Sequence, residues 1–205
     1  MPRAKSTSTS SAARQKIVST ARAHFLAHGF RNVTMDDLAA EVGMSKKTFY
    51  AHFPSKLALV EEVMLHKIGE VESDLERITA GTAASFSETL HALLACLQKH
   101  TGEIQPAFIR DVRRDAAEVF DVIECRRAAI IKRSFTRLLS SGRKAGMIRM
   151  EVPQTLVIEM LLASTHSIMN PHKLEELNLT AKAGYSAIID VILRGAMTSK
   201  GREEL

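Results

Sequence analysis

Apolar residues recur along this chain at intervals of three and four, the spacing that lines one face of an α-helix, and nowhere in the alternation of a strand. Ile17, Ala21 and Phe25 begin the pattern, with Val18 and Leu26 on flanking rows. Gly29 supplies a stop signal, so a first helix of about four turns is predicted from Ala12. Thr34 opens a short second helix with Leu38, Ala39 and Val42 inward and Gly43 at its end; Thr34-Met35-Asp36-Asp37 resembles a capping box with Asp in place of Glu. Ser45 caps a third helix, Lys46 to about His52, whose inward residues are Phe49 and Phe53. Pro54 then breaks the chain and Ser55 caps a fourth helix. There Leu57, Val60, Met64, Ile68, Val71, Leu75 and Ile78 make one continuous stripe. Further runs cover about 87–101, 105–119, 121–145, 154–169 and 180–198, punctuated by Gly102, Gly146, Pro153, Asn170-Pro171 and Asn178. The prediction is an all-α protein of about nine helices.

Composition narrows the class. With 45% hydrophobic and 25% charged residues, the chain reads as an ordinary globular protein. No window approaches a transmembrane span, the first sixteen residues have no apolar core of a secretory signal, and Cys96 and Cys125 make no disulfide framework. A cytoplasmic location is expected. Residues 1–11 are Ser/Thr-rich and read as a flexible arm, with Arg3 and Lys5 as candidates to reach a minor groove. The net charge of +5 is concentrated: residues 1–56 hold nine of the 28 cations and three of the 23 anions, leaving 19 cations and 20 anions for the remainder. A polyanion partner at the N-terminal end follows, because clustered cations bind phosphate backbones by releasing counterions.

Two short helices joined at Val42-Gly43-Met44-Ser45 are what a helix-turn-helix requires. Gly43 tolerates the turn, Ala39 and Ala40 permit a close crossing, and the third helix is left to expose Lys46, Lys47, Thr48 and Tyr50 to a major groove. Thr34, at a helix start, offers a phosphate site. Lys56 opposes the dipole of the fourth helix, and an external anion would explain it.

The ungapped stretch from Ile17-Val18 through Gly29-Phe30 and Thr34-Met35-Asp36-Asp37-Leu38-Ala39 to Val42-Gly43-Met44-Ser45-Lys46-Lys47-Thr48-Phe49-Tyr50-Ala51-His52-Phe53-Pro54-Ser55-Lys56-Leu57 resembles the N-terminal domain of the tetracycline-repressor family. It includes that family's Tyr-x-x-Phe-x-x-Lys run at Tyr50, Phe53 and Lys56. The resemblance implies a helix-turn-helix DNA-binding domain at 12–56 and a ligand-binding and dimerisation domain at 57–205. It implies a nucleoid-associated regulator, usually a repressor, that binds a palindromic operator in double-stranded DNA as a homodimer and is released by a small molecule. Thr34, Tyr50 and Lys56 would hold phosphates; Ser45, Lys46, Lys47 and Thr48 would lie at the groove, and His52 sits where some members contact the backbone. Many members carry Gly where Lys47 stands, and Phe49 replaces a more usual Leu.

The same resemblance places a dimer interface at about 154–169 and 180–198. Leu156, Met160, Ala163 and Ser167 form one row there, and Ala181, Gly184, Tyr185, Ala187, Ile188, Ile189, Ile192 and Leu193 a broad apolar surface. It also places an inducer pocket within 87–170. Cys96, His100, Phe108, Phe135, Met147, Met150, Met160, His166 and Met169 are candidate linings, though residues of these types are more often core filler than ligand contacts. Cys96 and His100 are four apart but show no third ligand, so neither metal nor cofactor is expected. The run from Arg110-Asp111 to Asp115 and Glu118 reads as a solvated helix face. No phosphate loop, His-Glu-x-x-His or nucleophile elbow marks an enzyme. The alternatives are an all-α protein-interaction module and a thiol-responsive regulator using Cys96 or Cys125.

Overall fold

The computed structural model describes residues 5–81 and 85–203, and among these eleven helices follow one another: α1 Lys5–His28, α2 Met35–Val42, α3 Lys46–His52, α4 Lys56–Ala80, α5 Phe86–Gly102, α6 Pro106–Asp115, α7 Ala117–Lys144, α8 Gln154–Ile168, α9 Pro171–Glu176, α10 Ala181–Ala196 and α11 Ser199–Glu203. No strand forms among the described residues; a single antiparallel bridge joins Ile148 and Met197. The all-α reading stands, with two short helices more than expected. In α9, Asn170 accepts a hydrogen bond from the Lys173 N–H and Pro171 takes the first helical position, where its missing N–H has no partner to lose. Asn170-Pro171, expected as a break, is a helix start.

α1 begins at Lys5 rather than Ala12. Once Ile17, Ala21 and Phe25 are packed, the helix extends N-terminally at one hydrogen bond per residue fixed, without apolar residues of its own. The first four residues of the expected arm, Arg3 included, lie outside the described residues.

The chain divides into two compact units, residues up to Ile68 with Ile104–Ile123, and Gly69–Glu103 with Glu124 onward. The N-terminal unit is larger than the stretch 12–56, because α6 also packs within it. Phe108 is fully buried there, stacked on Phe25 with ring centroids 6.4 Å apart. Asp111 is 8% exposed and accepts a hydrogen bond from the Arg31 N–H at 3.4 Å. Arg31 Nε and Nη2 grip Asp115 at 2.7 and 3.0 Å. The expected solvated face of α6 is therefore half an anchor: its arginines face water while its aspartates hold the α1–α2 loop. Gly29 in that loop has φ +82°, and a Cβ on it would stand 3.3 Å from Asp111 Oδ2.

In the C-terminal unit α10 packs against α5 and α8. Val157, Ile158 and Leu161 of α8 are buried, whereas Leu156, Met160, Ala163 and Ser167 are exposed, so that row faces outward as the sequence suggests. α10 differs. Gly184, Tyr185, Ile188, Ile189 and Leu193, expected at a partner, fill the unit's own core. The outward row is Ala183, Ala187 and Val191, the last 72% exposed. Periodicity locates an apolar helix but not which of two apolar faces meets its own chain.

Candidate nucleic-acid interface

The turn between α2 and α3 follows from its residues. Gly43 takes φ +75°, and the N–H groups of Gly43 and Met44 close onto the carbonyls of Ala40 and Ala39 at 3.0 and 2.9 Å. Two residues later the Ser45 hydroxyl accepts from the Thr48 N–H at 3.1 Å and starts α3. Seven residues make a helix too short to stand alone, so packing must hold it. Phe49 and Phe53 are that packing, both fully buried. With those two rings inside, Lys46, Lys47, Thr48 and Tyr50 are exposed, Tyr50 at 42%. The first turn of α3 carries no acidic residue, so its positive end and two lysines meet solvent together.

The cations of this unit are mostly occupied. Arg14 donates to the His52 carbonyl at 3.1 Å and to Glu62 Oε2 at 3.0 Å, while its guanidinium lies 4.3 Å from the centroid of Phe53. It thereby ties α1, the end of α3 and α4 together. No local signal in the sequence marks this role of Arg14, whose partners lie 38 and 48 residues away. Lys16 donates to the Val42 carbonyl at 2.9 Å, a cation at the negative end of α2. Lys46 reaches Asp36 Oδ2 at 2.6 Å, and this carboxylate beside it raises its pKa above the usual lysine value. Lys47 is exposed and, among the described residues, has no hydrogen-bond or ion-pair partner. It is the cation of α3 most available to an external phosphate or base.

Two expected phosphate contacts look different in place. Thr34 Oγ1 accepts from the Asp37 N–H at 3.1 Å and donates to Asp37 Oδ2 at 2.6 Å. A carboxylate thus already sits at the start of α2 and would repel a phosphate there. Lys56 needs no external anion to explain it: its ammonium lies 4.4 Å over the Phe30 ring and 3.4 Å from the Arg31 carbonyl. Burial lowers its pKa from the ordinary lysine value. His52 is half-buried at the end of α3.

The candidate pocket residues scatter. Cys96, His100, Phe135 and Met147 are buried in the C-terminal unit, Phe108 in the N-terminal one. Met150, Met160 and His166 are exposed, and Met169 is half-buried. Cys96 and His100 do come together, with Asp74 of α4 beside them. An open groove of about 460 Å³ runs between α5 and α10, lined by Leu90, Leu94, Gln98, Ser186, Ile189 and Leu193, none of them an expected lining.

A helix, a left-handed glycine and a second capped helix with an outward basic face define a helix-turn-helix protein of the transcription-regulator class. Residues 17–63 match the family model described as "Bacterial regulatory proteins, tetR family". The uncharacterized HTH-type transcriptional regulator YvaF of Bacillus subtilis (strain 168) is 26% identical over 165 residues, which cover 79% of this chain and 84% of that protein. The HTH-type transcriptional repressor DhaR of Mycobacterium sp. (strain GP1) is 25% identical over 169 residues, 79% of this chain and 83% of the relative. The solved structure of SmeT, the repressor of the Stenotrophomonas maltophilia multidrug efflux pump SmeDEF, shares the fold at a TM-score of 0.64 and 17% identity, over 91% of each chain. Among the described residues no helix is long and apolar enough to cross a membrane.

Proposed function

We propose that the chain is a transcriptional repressor that grips a palindromic operator as a homodimer through α3 and releases it when a small molecule binds the C-terminal unit. It works in the cytoplasm, at the chromosome. The observation that carries this reading is the face of α3, where Lys46, Lys47, Thr48 and Tyr50 are exposed opposite Phe49 and Phe53. The relative named as a repressor supports the sign of regulation. Lys47 and Tyr50 are the primary contacts, with Lys46 joining once it leaves Asp36. Ser45 and Thr48 serve the groove edge and His52 its flank.

One recognition helix reads few base pairs, so two must lie about 34 Å apart on DNA. The outward rows of α8 and α10, Leu156, Met160 and Ala163 with Ala183, Ala187 and Val191, suit the pairing, because the small Ala163, Ala183 and Ala187 leave room for the large Leu156, Met160 and Val191. Release would follow if ligand tilts α4, whose 25 residues span about 37 Å and change the separation of the paired recognition helices. The test is selection of bound DNA from a random pool, followed by titration at several salt concentrations. The expected result is an inverted-repeat site whose affinity falls steeply with salt. Sequence-blind, salt-indifferent binding would sink the reading.

A further inference from the structure

Cys96 and His100 lie one turn apart on α5 and are both buried; Asp74 of α4 stands half-buried beside them. One ligating atom from each residue can be chosen so that all three lie within 4.8 Å of one another. Asp74 Oδ2 is 3.0 Å from His100 Nε2, while its other oxygen, Oδ1, accepts from Arg77 at 2.9 Å. The sequence offered a thiol and an imidazole without a third ligand. The third comes from a residue 22 positions earlier, brought in by the fold.

We propose that Asp74, Cys96 and His100 form a binding site for one divalent transition-metal ion of the zinc class, with a fourth position open to water. The proposal goes beyond the repressor reading and needs nothing from it. The donor set argues for the metal: one thiolate, one imidazole and one carboxylate suit Zn²⁺ and Co²⁺ and disfavour Mg²⁺ and Ca²⁺, which take oxygen. Size agrees. Metal–ligand bonds of about 2.0–2.3 Å put tetrahedral ligand atoms roughly 3.6 Å apart, so the widest pair closes by about 1.2 Å at most. Charge agrees too. A dication between a thiolate and a carboxylate is neutral, so the buried side of α5 would hold no uncompensated ion. On binding, the Cys96 thiol gives its proton to solvent, and His100 ligates through Nε2 with its ring proton on Nδ1. Arg77 keeps Asp74 Oδ1 engaged, which leaves Oδ2 to ligate singly and fixes the carboxylate plane.

The full chain carrying Cys125→Ser, which removes the exposed thiol, is titrated with Co²⁺ alone and followed by absorption. The expected result is a saturable band from sulfur-to-cobalt charge transfer with visible bands of tetrahedral Co²⁺, one ion per chain, discharged by added Zn²⁺. Adding Cys96→Ser removes the charge-transfer band. His100→Gln or Asp74→Asn keeps the band at saturation but weakens Co²⁺ binding by about ten-fold or more. Circular dichroism checks that each variant folds. Should Cys96→Ser fail to fold, the half-exposed Asp74→Asn decides, and unchanged Co²⁺ affinity there overturns the three-ligand site. Absence of a saturable band at micromolar Co²⁺, or its persistence in Cys96→Ser, overturns it as well.

Discussion

In the N-terminal unit Asp111 and Lys67 are buried, but the charged side chains around the helix-turn-helix are exposed or half-buried and largely held by partners of their own: Arg14 by His52 and Glu62, Lys16 by Val42, Arg31 by Asp115, Lys46 by Asp36. Lys47 is left to solvent. In the C-terminal unit the arrangement is inverted. Asp74, Cys96 and His100 gather on the buried side of α5, whereas Leu156, Met160 and Val191 are turned out. Exposed polar groups suit a polyanion that arrives and leaves. Buried polar groups and exposed apolar ones suit a small ligand and a permanent partner. The comparison implies that substitutions in the first unit separate affinity from stability, and that those in the second entangle them.

The largest expected effect breaks that separation on purpose. Phe49 is fully buried under a seven-residue helix, so Phe49→Ala removes the contact that holds the recognition surface in place. The expected loss is about 3–5 kcal/mol, a large part of a small unit's stability. A thermal melt should show an early transition, with DNA binding lost in step. Full operator affinity with the early transition absent would mean that α3 is held by something other than Phe49.

The same contrast explains what was legible in the sequence. The helix-turn-helix could be read because its signals are local: Thr34, Gly43 and Ser45 act within four residues of themselves, and Phe49 and Phe53 step at helical spacing. The placement of α6 could not. It depends on Phe108 meeting Phe25 and on Asp115 meeting Arg31 84 residues away, and nothing in Asp115-Ala116-Ala117 marks the break between α6 and α7. The buried stripe of α4 starts later than the periodicity suggests. Leu57 is 44% exposed and burial begins at Leu59 and Val60. In the sequence Lys47 stands apart from Lys46 only as a departure from the Gly of many family members. The 2.6 Å contact of Lys46 to Asp36, a residue ten positions earlier, is what makes Lys47 the more available of the two.

In the C-terminal unit, entanglement predicts an alkaline signature. Burial raises the pKa of the Tyr185 hydroxyl from 10.0 to about 12. As pH rises, the unfolded chain therefore releases this proton first, and stability falls between pH 10 and 12, by about 2 kcal/mol at the upper end. Urea unfolding across that range measures it, and Tyr185→Phe should flatten the curve. An equal slope in the variant would assign the loss to other groups.

On the exposed side, Lys47→Ala should leave the melting temperature unchanged, since the side chain is exposed and makes no hydrogen bond or ion pair among the described residues. Operator affinity should fall about ten-fold, and the slope of log affinity against log salt should become shallower by roughly 0.9 if the contact is a phosphate. A lower affinity at unchanged slope would place Lys47 on a base instead. Anisotropy titrations at three salt concentrations distinguish the two.

The smallest effect is the sharpest test of whether internal pairing restrains the surface. Asp36 holds Lys46 at 2.6 Å, and both groups are exposed. An exposed pair of this kind adds little to folding, so Asp36→Asn should barely move the melt. It should nevertheless tighten DNA binding by roughly two- to five-fold at low salt, since it frees a cation and removes an anion near the phosphates. The gain should vanish in Lys46→Ala, whose own loss should be smaller than that of Lys47→Ala because Lys46 must first leave its partner. Screening should erase the gain by about 1 M salt, where the Debye length is about 3 Å. A gain that survives Lys46→Ala and still vanishes at high salt would show that Asp36 repels the DNA directly and that the ion pair is incidental to it.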